Sequence, residues 1–246
     1  MSHIFLKNVN VVGIDATKRV NGLKNILLGR SKGSIIGSYV SILQNISLNI
    51  KSGMRIGILG KNGSGKTSLL RTIMGVYPQK NGTVDVKGTI LPVLDLSAGI
   101  KMELSGRKNI KLLFLYTGRL KDYNIDIEAK IIEFSGISKD KIDMKMKNYS
   151  SGMCARLIFS AIIFQHGDIA LMDEAFATGD AEFINKSYKY MEKKWNDVDI
   201  GITISHNVEE IRKLCDYCYI MENGKISNEG KTNEMIQSYN NTIHLL

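Results

Sequence analysis

One stretch of the chain has the residue types and spacing that bind a phosphate chain: Gly60-Lys61-Asn62-Gly63-Ser64-Gly65-Lys66-Thr67. It fits the pattern G-x-x-x-x-G-K-[ST], in which glycines allow positive φ and let backbone N–H groups approach an anion closely. Lys66 is expected to reach the β- and γ-phosphates of a nucleotide, and Thr67 to place its hydroxyl on Mg²⁺. We expect the whole loop and the following Ser68 to contact the nucleotide.

The residues on either side of this loop favour the same interpretation. Met54–Leu59 is short and apolar, which predicts a buried strand, and Ser68–Met74 has apolar residues at helical spacing. The start of a helix adds a partial positive charge that stabilises anions. The alternative, a Gly-rich turn before a helix with no ligand, fits these flanks less well.

Two further places in the chain could complete such a site. Asp173 and Glu174 end an apolar strand predicted from Ile169, where Asp173 could hold Mg²⁺ through water and Glu174 could polarise an attacking water. His206 follows a second apolar strand, Ile200–Ile204, and could donate a hydrogen bond to a γ-phosphate. The alternatives are an acidic pair exposed to solvent and a histidine with ordinary structural contacts.

Length and composition predict a soluble protein with a substantial core. The chain has 246 residues, of which 43% are apolar and 23% charged. No apolar run reaches the roughly 18 residues that span a bilayer, and the start lacks the charged region and cleavage site of a signal peptide, so we expect a cytoplasmic protein. The net charge of +9 would suit nucleic acid or an anionic membrane. No polybasic arm is present, which favours lysines spread over a solvated surface and no nucleic-acid partner.

The cysteines do not indicate a disulfide framework. The chain has three cysteines, an odd number. Cys215 and Cys218 form a lone C-x-x-C pair where a helix gives way to a strand, so small buried residues are a better interpretation than a zinc or redox site.

Strands are predicted at the N-terminus, and helices in the middle of the chain. The predicted strands are 4–12 and 42–50, separated by an expected loop insertion at 13–41, and Asn81-Gly82 is expected to form a hairpin turn. The predicted helices are 109–116, 127–135 and 152–164.

These elements predict a single domain over residues 1–246. Residues 1–95 and 165–246 would form an α/β core with a β subdomain, and residues 96–164 an inserted helical subdomain. We expect no further domain, and in particular no carbohydrate-binding domain, at the C-terminus.

The order of the motifs resembles that of an ABC transporter ATP-binding subunit. The motifs in chain order are Gly60–Thr67, Tyr149-Ser150-Ser151-Gly152-Met153, Asp173-Glu174, Ala177-Thr178-Gly179-Asp180 and His206. The resemblance implies an α/β fold of the P-loop NTPase (RecA-like) type, in which a core sheet carries an antiparallel β subdomain and an inserted helical subdomain. It also implies ATP and Mg²⁺ as cofactors.

Three details are similar to the ATPases of bacterial polysaccharide exporters, which move O-antigen, capsule or teichoic acid. They are the signature Tyr149–Met153, the segment Leu104–Asn109 and the Gly179-Asp180 end of the D-loop. This implies a separate integral-membrane permease, indirect coupling to a lipid-linked polysaccharide, and a peripheral position on the cytoplasmic face of the cell (inner) membrane. The alternatives are a drug or lipid exporter, or a soluble ABC ATPase outside transport.

The resemblance also implies roles for individual residues. Glu174 would activate water, His206 would hold the γ-phosphate and Lys66 would offset its charge. The signature residues, which include Ser150, Ser151, Gly152 and Met153, would bind ATP held by a second copy, so that the ATPase works as a homodimer, with Asp180 acting across it. Ser150–Gly152 also fits an ordinary helix N-cap, and both interpretations can hold together.

Two positions depart from the family pattern. The usual Q-loop glutamine is absent, and Asp95 or Leu96 stands in its place, with Asp95 a candidate acceptor for Mg²⁺. Tyr39 is the candidate for stacking on adenine, and the alternative for it is a plain residue of a surface loop.

Overall fold

The computed structural model of the chain describes residues 1–14, 39–93, 99–173, 180–205 and 207–244. The strands are β1 His3–Ile14, β2 Tyr39–Lys51, β3 Arg55–Leu59, β4 Asn81–Lys87, β5 Ile90–Val93, β6 Ile169–Asp173, β7 Ile200–Ile204, β8 Tyr217–Glu222 and β9 Lys225–Lys231. The α-helices are α1 Lys66–Ile73, α2 Gly106–Tyr116, α3 Ile125–Ser135, α4 Ser151–Ile163, α5 Ala181–Asp197, α6 Val208–Leu214 and α7 Thr232–His244. Short 3₁₀ turns occupy Leu120–Asp122 and Met146–Asn148. None of the described helices is long and apolar enough to cross a bilayer.

The chain divides into two compact units, and the first consists of residues 1–2, 51–57 and 87–217. Its strands follow the order β5-β6-β7-β3, with β5, β6 and β7 paired in parallel. β6 and β7 are buried almost throughout, as expected of apolar strands covered on both faces of a parallel sheet. Asp173 lies opposite Ile204 in this register, so both strands end at the same edge of the sheet.

The helices of the first unit begin at polar capping residues. Ser105, Asn124, Ser150, Asp180 and Asn207 each accept a hydrogen bond from a backbone N–H in the first turn of the helix that follows. The three helices predicted from apolar periodicity are confirmed as α2, α3 and α4. Each begins one to three residues earlier than predicted, because the cap fixes the first turn before the apolar spacing becomes visible.

A buried asparagine organises the segment that leads into α2. Asn109 is 1% exposed, and its amide nitrogen lies 3.0 Å from the carbonyl oxygens of Lys101 and Ser105. Its Oδ1 accepts from the backbone N–H of Lys101 at 2.9 Å. A Cβ at Gly106 would lie 2.5 Å from the Tyr149 hydroxyl, and Arg107 makes two hydrogen bonds to the Asp143 carboxylate. The segment Leu104–Asn109 therefore has a structural role in this unit.

The second unit consists of residues 3–50, 58–86 and 218–246. One of its sheets has the order β2-β1-β4, and the other strands follow the order β3-β8-β9, where the last two residues of β3 belong to this unit. β2 buries alternate side chains over its second half, so one face packs in the core and the other faces solvent. The core side chains of β1 and β2 are Ile4, Leu6, Val9, Val11, Leu43, Ile46, Leu48 and Ile50.

Two predictions in this unit were wrong in detail. β1 continues to Ile14 and β2 begins at Tyr39, so strands occupy both ends of the expected 13–41 insertion, and residues 15–38 lie outside the described part. Asn81-Gly82 starts β4 rather than forming a hairpin turn. Gly82 has a φ of 91°, and a Cβ there would lie 2.5 Å from the carbonyl oxygen of Asn8, so glycine is needed where the chain passes β1.

A second Asn-Gly pair forms the tight turn between β8 and β9. Asn223 and Gly224 have φ angles of 49° and 76° and join β8 to β9. Cys215 and Cys218 are 7% and 0% exposed, which agrees with the prediction that they are small buried residues. A separate helical subdomain at 96–164 stays a prediction.

We expect Asn109→Asp to lower the free energy of unfolding by about 3 kcal/mol near pH 7.5, because the carboxylate faces carbonyl oxygens and loses the amide donors. The loss should shrink as the pH falls toward 5, because burial raises the pKa of the new carboxyl above its unfolded value and the protonated form donates again. Urea denaturation followed by circular dichroism measures both values.

Asn124→Asp is the matched control. Asn124 uses only its side-chain oxygen, which accepts from the Ile127 N–H as an N-cap, so a carboxylate serves equally well and stability should change by less than about 0.5 kcal/mol. Equal losses in the two variants would contradict the role given to Asn109.

Candidate functional site

The phosphate loop lies between β3 and α1, as the sequence predicted. Gly60, Gly63 and Gly65 have φ angles of 150°, 78° and 105°, a region that favours glycine. The Ser64 N–H donates to the Lys61 carbonyl at 3.1 Å and closes a tight turn within the loop. Gly65 then stands at the N-cap of α1 and has no side chain to cap it. The first turn of α1 therefore presents the electropositive end of a helix to the loop.

Close packing adds a second constraint at two of these glycines, and the constraint is stronger at Gly60. A Cβ at Gly60 would lie 2.4 Å from the carbonyl oxygen of Met221. A Cβ at Gly65 would lie 3.2 Å from the Leu43 side chain. The Gly224 N–H donates to the Ser64 carbonyl at 2.9 Å. The loop is thus held against the turn between β8 and β9, and a larger residue at Gly60 would push it away.

Lys66 is buried beneath the loop. It is 8% exposed, and its Nζ donates to the carbonyl oxygens of Gly60 at 2.7 Å and Lys61 at 3.1 Å. These bonds hold the ammonium group against the backbone of the loop, away from bulk solvent. Thr67 and Ser68 follow in the first turn of α1, both half-buried.

Ser64 carries a polar group that lacks a partner. Its Oγ is buried and makes no hydrogen bond to any described residue. A buried hydroxyl normally finds a partner, and this one belongs to a loop that combines an ammonium group with a helix N-terminus. The residues present therefore fit a bound phosphate chain.

Other predicted residues lie in the first unit. Asp173 is the last residue of β6 and is half-buried. Ser150 caps α4, with its Oγ accepting from the Met153 N–H at 3.2 Å, so the N-cap interpretation of the signature is confirmed. Ser151 and Gly152 form the first turn of α4, where Ser151 is exposed.

Asp180 makes two contacts, one of which the sequence did not reveal. Its Oδ1 accepts from the Phe183 N–H at 2.9 Å and caps α5. Its Oδ2 lies 3.3 Å from the Arg156 guanidinium on α4. This ion pair joins the helix of the signature to the start of α5, and only the folded chain brings the two residues together.

The remaining predicted site residues differ in whether they belong to the described part of the chain. Glu174, His206 and Asp95, with its neighbour Leu96, lie outside the described residues. Tyr39 is the first residue of β2 and is 68% exposed, so the surface-loop interpretation was wrong, while its stacking on adenine stays a prediction.

The family of the chain follows from comparison with known proteins. Residues 43–177 match the family model described as ABC transporter. The chain is 35% identical over 235 residues to the O-antigen export system ATP-binding protein RfbE of Yersinia enterocolitica, covering 93% of this chain and 98% of that protein. It is 36% identical over 205 residues to the teichoic acids export ATP-binding protein TagH of Enterococcus faecalis, covering 82% of this chain but 45% of that protein.

Solved structures support the same fold. The dimeric structure of a post-hydrolysis state of the ATP-binding cassette MJ0796, bound to ADP and Pi, matches with a TM-score of 0.67 at 18% identity, covering 93% of this chain and 98% of that one. The ATP-binding subunit of another ABC transporter matches with a TM-score of 0.69 at 14% identity, covering 96% of this chain and 93% of that one. The predicted P-loop NTPase fold is confirmed. The chain therefore belongs to the ABC transporter family, as one of its ATPase subunits.

Proposed function

We propose that this ATPase powers the export of a cell-surface polysaccharide, of the O-antigen, capsule or teichoic acid type, through a separate membrane permease. The observation that carries the proposal is the similarity to the O-antigen export protein RfbE, which extends over almost the whole of both chains. The chain spans about half the length of the teichoic acid export relatives, so their names support the substrate class more weakly.

The nucleotide is proposed to bind at the phosphate loop. Lys66 supplies an ammonium group, the first turn of α1 supplies backbone N–H groups, and Ser64 supplies a buried hydroxyl. Each of these groups stabilises negative charge, and the same groups stabilise the charge that develops on the transferred phosphoryl group.

Magnesium would be held by oxygen ligands, as it prefers in proteins. Thr67 offers a hydroxyl in the first turn of α1, Asp173 offers a carboxylate at the end of β6, and Asp95 is a third candidate. When bound, the ion neutralises charge on the β- and γ-phosphates. Glu174 is proposed to orient and deprotonate the attacking water, and His206 to donate to the γ-phosphate.

The signature is proposed to complete the site of a second copy. Ser150 caps α4, so the N–H groups and the hydroxyl at this helix end can meet the γ-phosphate of ATP held by the other subunit. A two-fold homodimer would then enclose two nucleotides, with Asp180 acting across its interface. Hydrolysis replaces the bridging phosphate by separate products, the dimer opens, and the motion passes to the permease at the cytoplasmic face of the membrane.

We expect Lys66→Ala to weaken ATP binding by at least about tenfold, because charged hydrogen bonds to phosphate are lost. Isothermal titration calorimetry with Mg-ATP measures the change. Lys80→Ala removes an exposed lysine outside the loop and should bind like the wild type. Unchanged affinity in Lys66→Ala would remove the phosphate-loop assignment.

We expect Glu174→Gln to bind ATP and dimerise but to hydrolyse it at least about 100-fold more slowly, since general-base catalysis is lost. Phosphate release gives the rate, and small-angle scattering with ATP gives the dimer. Glu182→Gln, at an exposed position in the first turn of α5, is the control and should behave like the wild type. Wild-type turnover in Glu174→Gln would exclude Glu174 as the base.

The same variant tests the exported substrate. The test uses cells of the source organism in which the Glu174→Gln variant replaces the wild-type protein. Polysaccharide should be made but retained inside these cells. Comparing the amount of glycan on the cell surface with the amount in whole-cell lysates measures this. Normal surface glycan together with drug sensitivity or altered membrane lipid would instead favour a drug or lipid exporter.

A further inference from the structure

The hydrogen bonds at the start of α6 fix the chain on both sides of His206. The Ser205 hydroxyl donates to Glu210 Oε2 at 2.5 Å. The Asn207 N–H donates to the same hydroxyl at 3.0 Å. The Asn207 side chain in turn accepts from the backbone N–H groups of Glu209 at 3.0 Å and Glu210 at 3.4 Å. The residue before His206 and the residue after it are therefore both tied to the first turn of α6.

The side chain of Glu210 distinguishes this arrangement from an ordinary helix cap. In a capping box, the carboxylate of the third helical residue reaches back to the backbone N–H of the N-cap. Glu210 is the third residue of α6, but its carboxylate reaches two residues beyond the N-cap Asn207, to Ser205. The Ser205 hydroxyl then accepts from the N–H of Asn207 instead. The bond from Glu210 to Ser205 thus spans the position of His206 in the sequence.

The burial of one oxygen of Glu210 is unfavourable for stability. Oε1 is buried and makes no hydrogen bond to any described residue. A carboxylate oxygen that loses water without gaining a donor destabilises the folded protein. Natural proteins keep such locally unfavourable groups mainly at functional sites. A role of Glu210 in function therefore accounts for its presence better than a role in stability.

The start of α6 lies at the edge of the sheet where the proposed magnesium ligand also lies. Ser205 directly follows β7, whose last residue, Ile204, is opposite Asp173 at the end of β6. Holding Ser205 and Asn207 in place limits where the single residue between them can lie along this edge, since neighbouring Cα atoms are about 3.8 Å apart.

We propose that Glu210 is a positioning residue for His206 in ATP hydrolysis. Its bond to Ser205 holds the chain before His206, and the Ser205 hydroxyl holds the N–H after it, so that the imidazole meets the γ-phosphate in a fixed geometry. A misplacement of about 1 Å can lower a rate about 100-fold. The inference rests on the proposed role of His206 and adds a residue that itself contacts no nucleotide.

The first test is the steady-state rate of ATP hydrolysis, at a temperature where circular dichroism shows each variant to be folded. Glu210→Ala should lower kcat at least about tenfold and change the KM for ATP less than about threefold, because the phosphate loop still binds the nucleotide. Ser205→Ala, which removes the shared hydroxyl, should lower kcat to a similar extent. Wild-type kcat in both variants would overturn the inference.

Two further variants separate positioning from charge and from stability. Glu210→Gln keeps an oxygen that accepts from Ser205, so kcat should stay within about threefold of the wild type, and resistance to urea should not fall because no charge is buried. Glu209→Ala removes the adjacent, exposed carboxylate, which pairs with Arg212 at 3.4 Å, and should behave like the wild type. Equal losses of kcat in Glu210→Gln and Glu210→Ala would contradict the role given to the bond with Ser205.

A double variant shows whether Glu210 acts through His206. His206→Ala should itself lower kcat at least about tenfold, and Glu210→Ala added to it should lower kcat no further. A further loss in the double variant would mean that Glu210 acts by another route and would overturn the inference. A slow His206→Ala beside a normal Glu210→Ala would overturn the inference alone, whereas a normal His206→Ala would overturn the proposed role of His206 and the inference with it.

Discussion

Close contact between stretches of backbone is the constraint on which the nucleotide site depends. Gly60 meets the Met221 carbonyl, and the Ser64 carbonyl accepts from the Gly224 N–H. Gly224 in turn packs against β2, where a Cβ would lie 2.4 Å from the Ile42 carbonyl, and its own carbonyl accepts from the Gln44 N–H at 2.8 Å. Glycine is required at these points because no side chain fits. The curvature of the loop, and hence the place of the Lys66 ammonium, follows from this packing.

Residues that cap helices recur where the first unit carries its predicted site residues. Ser150 caps α4, Asp180 caps α5, and Asn207, which follows His206 in the sequence, caps α6. A cap satisfies backbone groups at a helix end and leaves that end fixed in position. Capping thus explains why polar residues stand at these positions. The proposed binding of phosphate at a helix end is a second requirement in addition to capping.

The sequence predicted features that depend on local pattern. The phosphate loop, the apolar runs of β6 and β7 and the helices α2, α3 and α4 were recognised because glycine spacing and apolar periodicity are local properties. Asn81-Gly82 was misread because positive φ suits a hairpin turn and also a glycine pressed against a neighbouring strand, and the neighbour was not visible in the sequence. The four side-chain hydrogen bonds of Asn109 and the Arg156–Asp180 pair were not predicted. Each depends on side chains that folding brings together.

The support of the phosphate loop by the β8–β9 turn has a consequence for biosynthesis. The loop is translated in the first third of the chain, whereas Met221 and Gly224, which hold it in shape, are translated in the last. Contacts so distant in sequence form late, after the intervening chain has left the ribosome. A nascent chain therefore carries the complete motif long before it carries a formed pocket, and nucleotide can stabilise the protein only once synthesis is nearly finished.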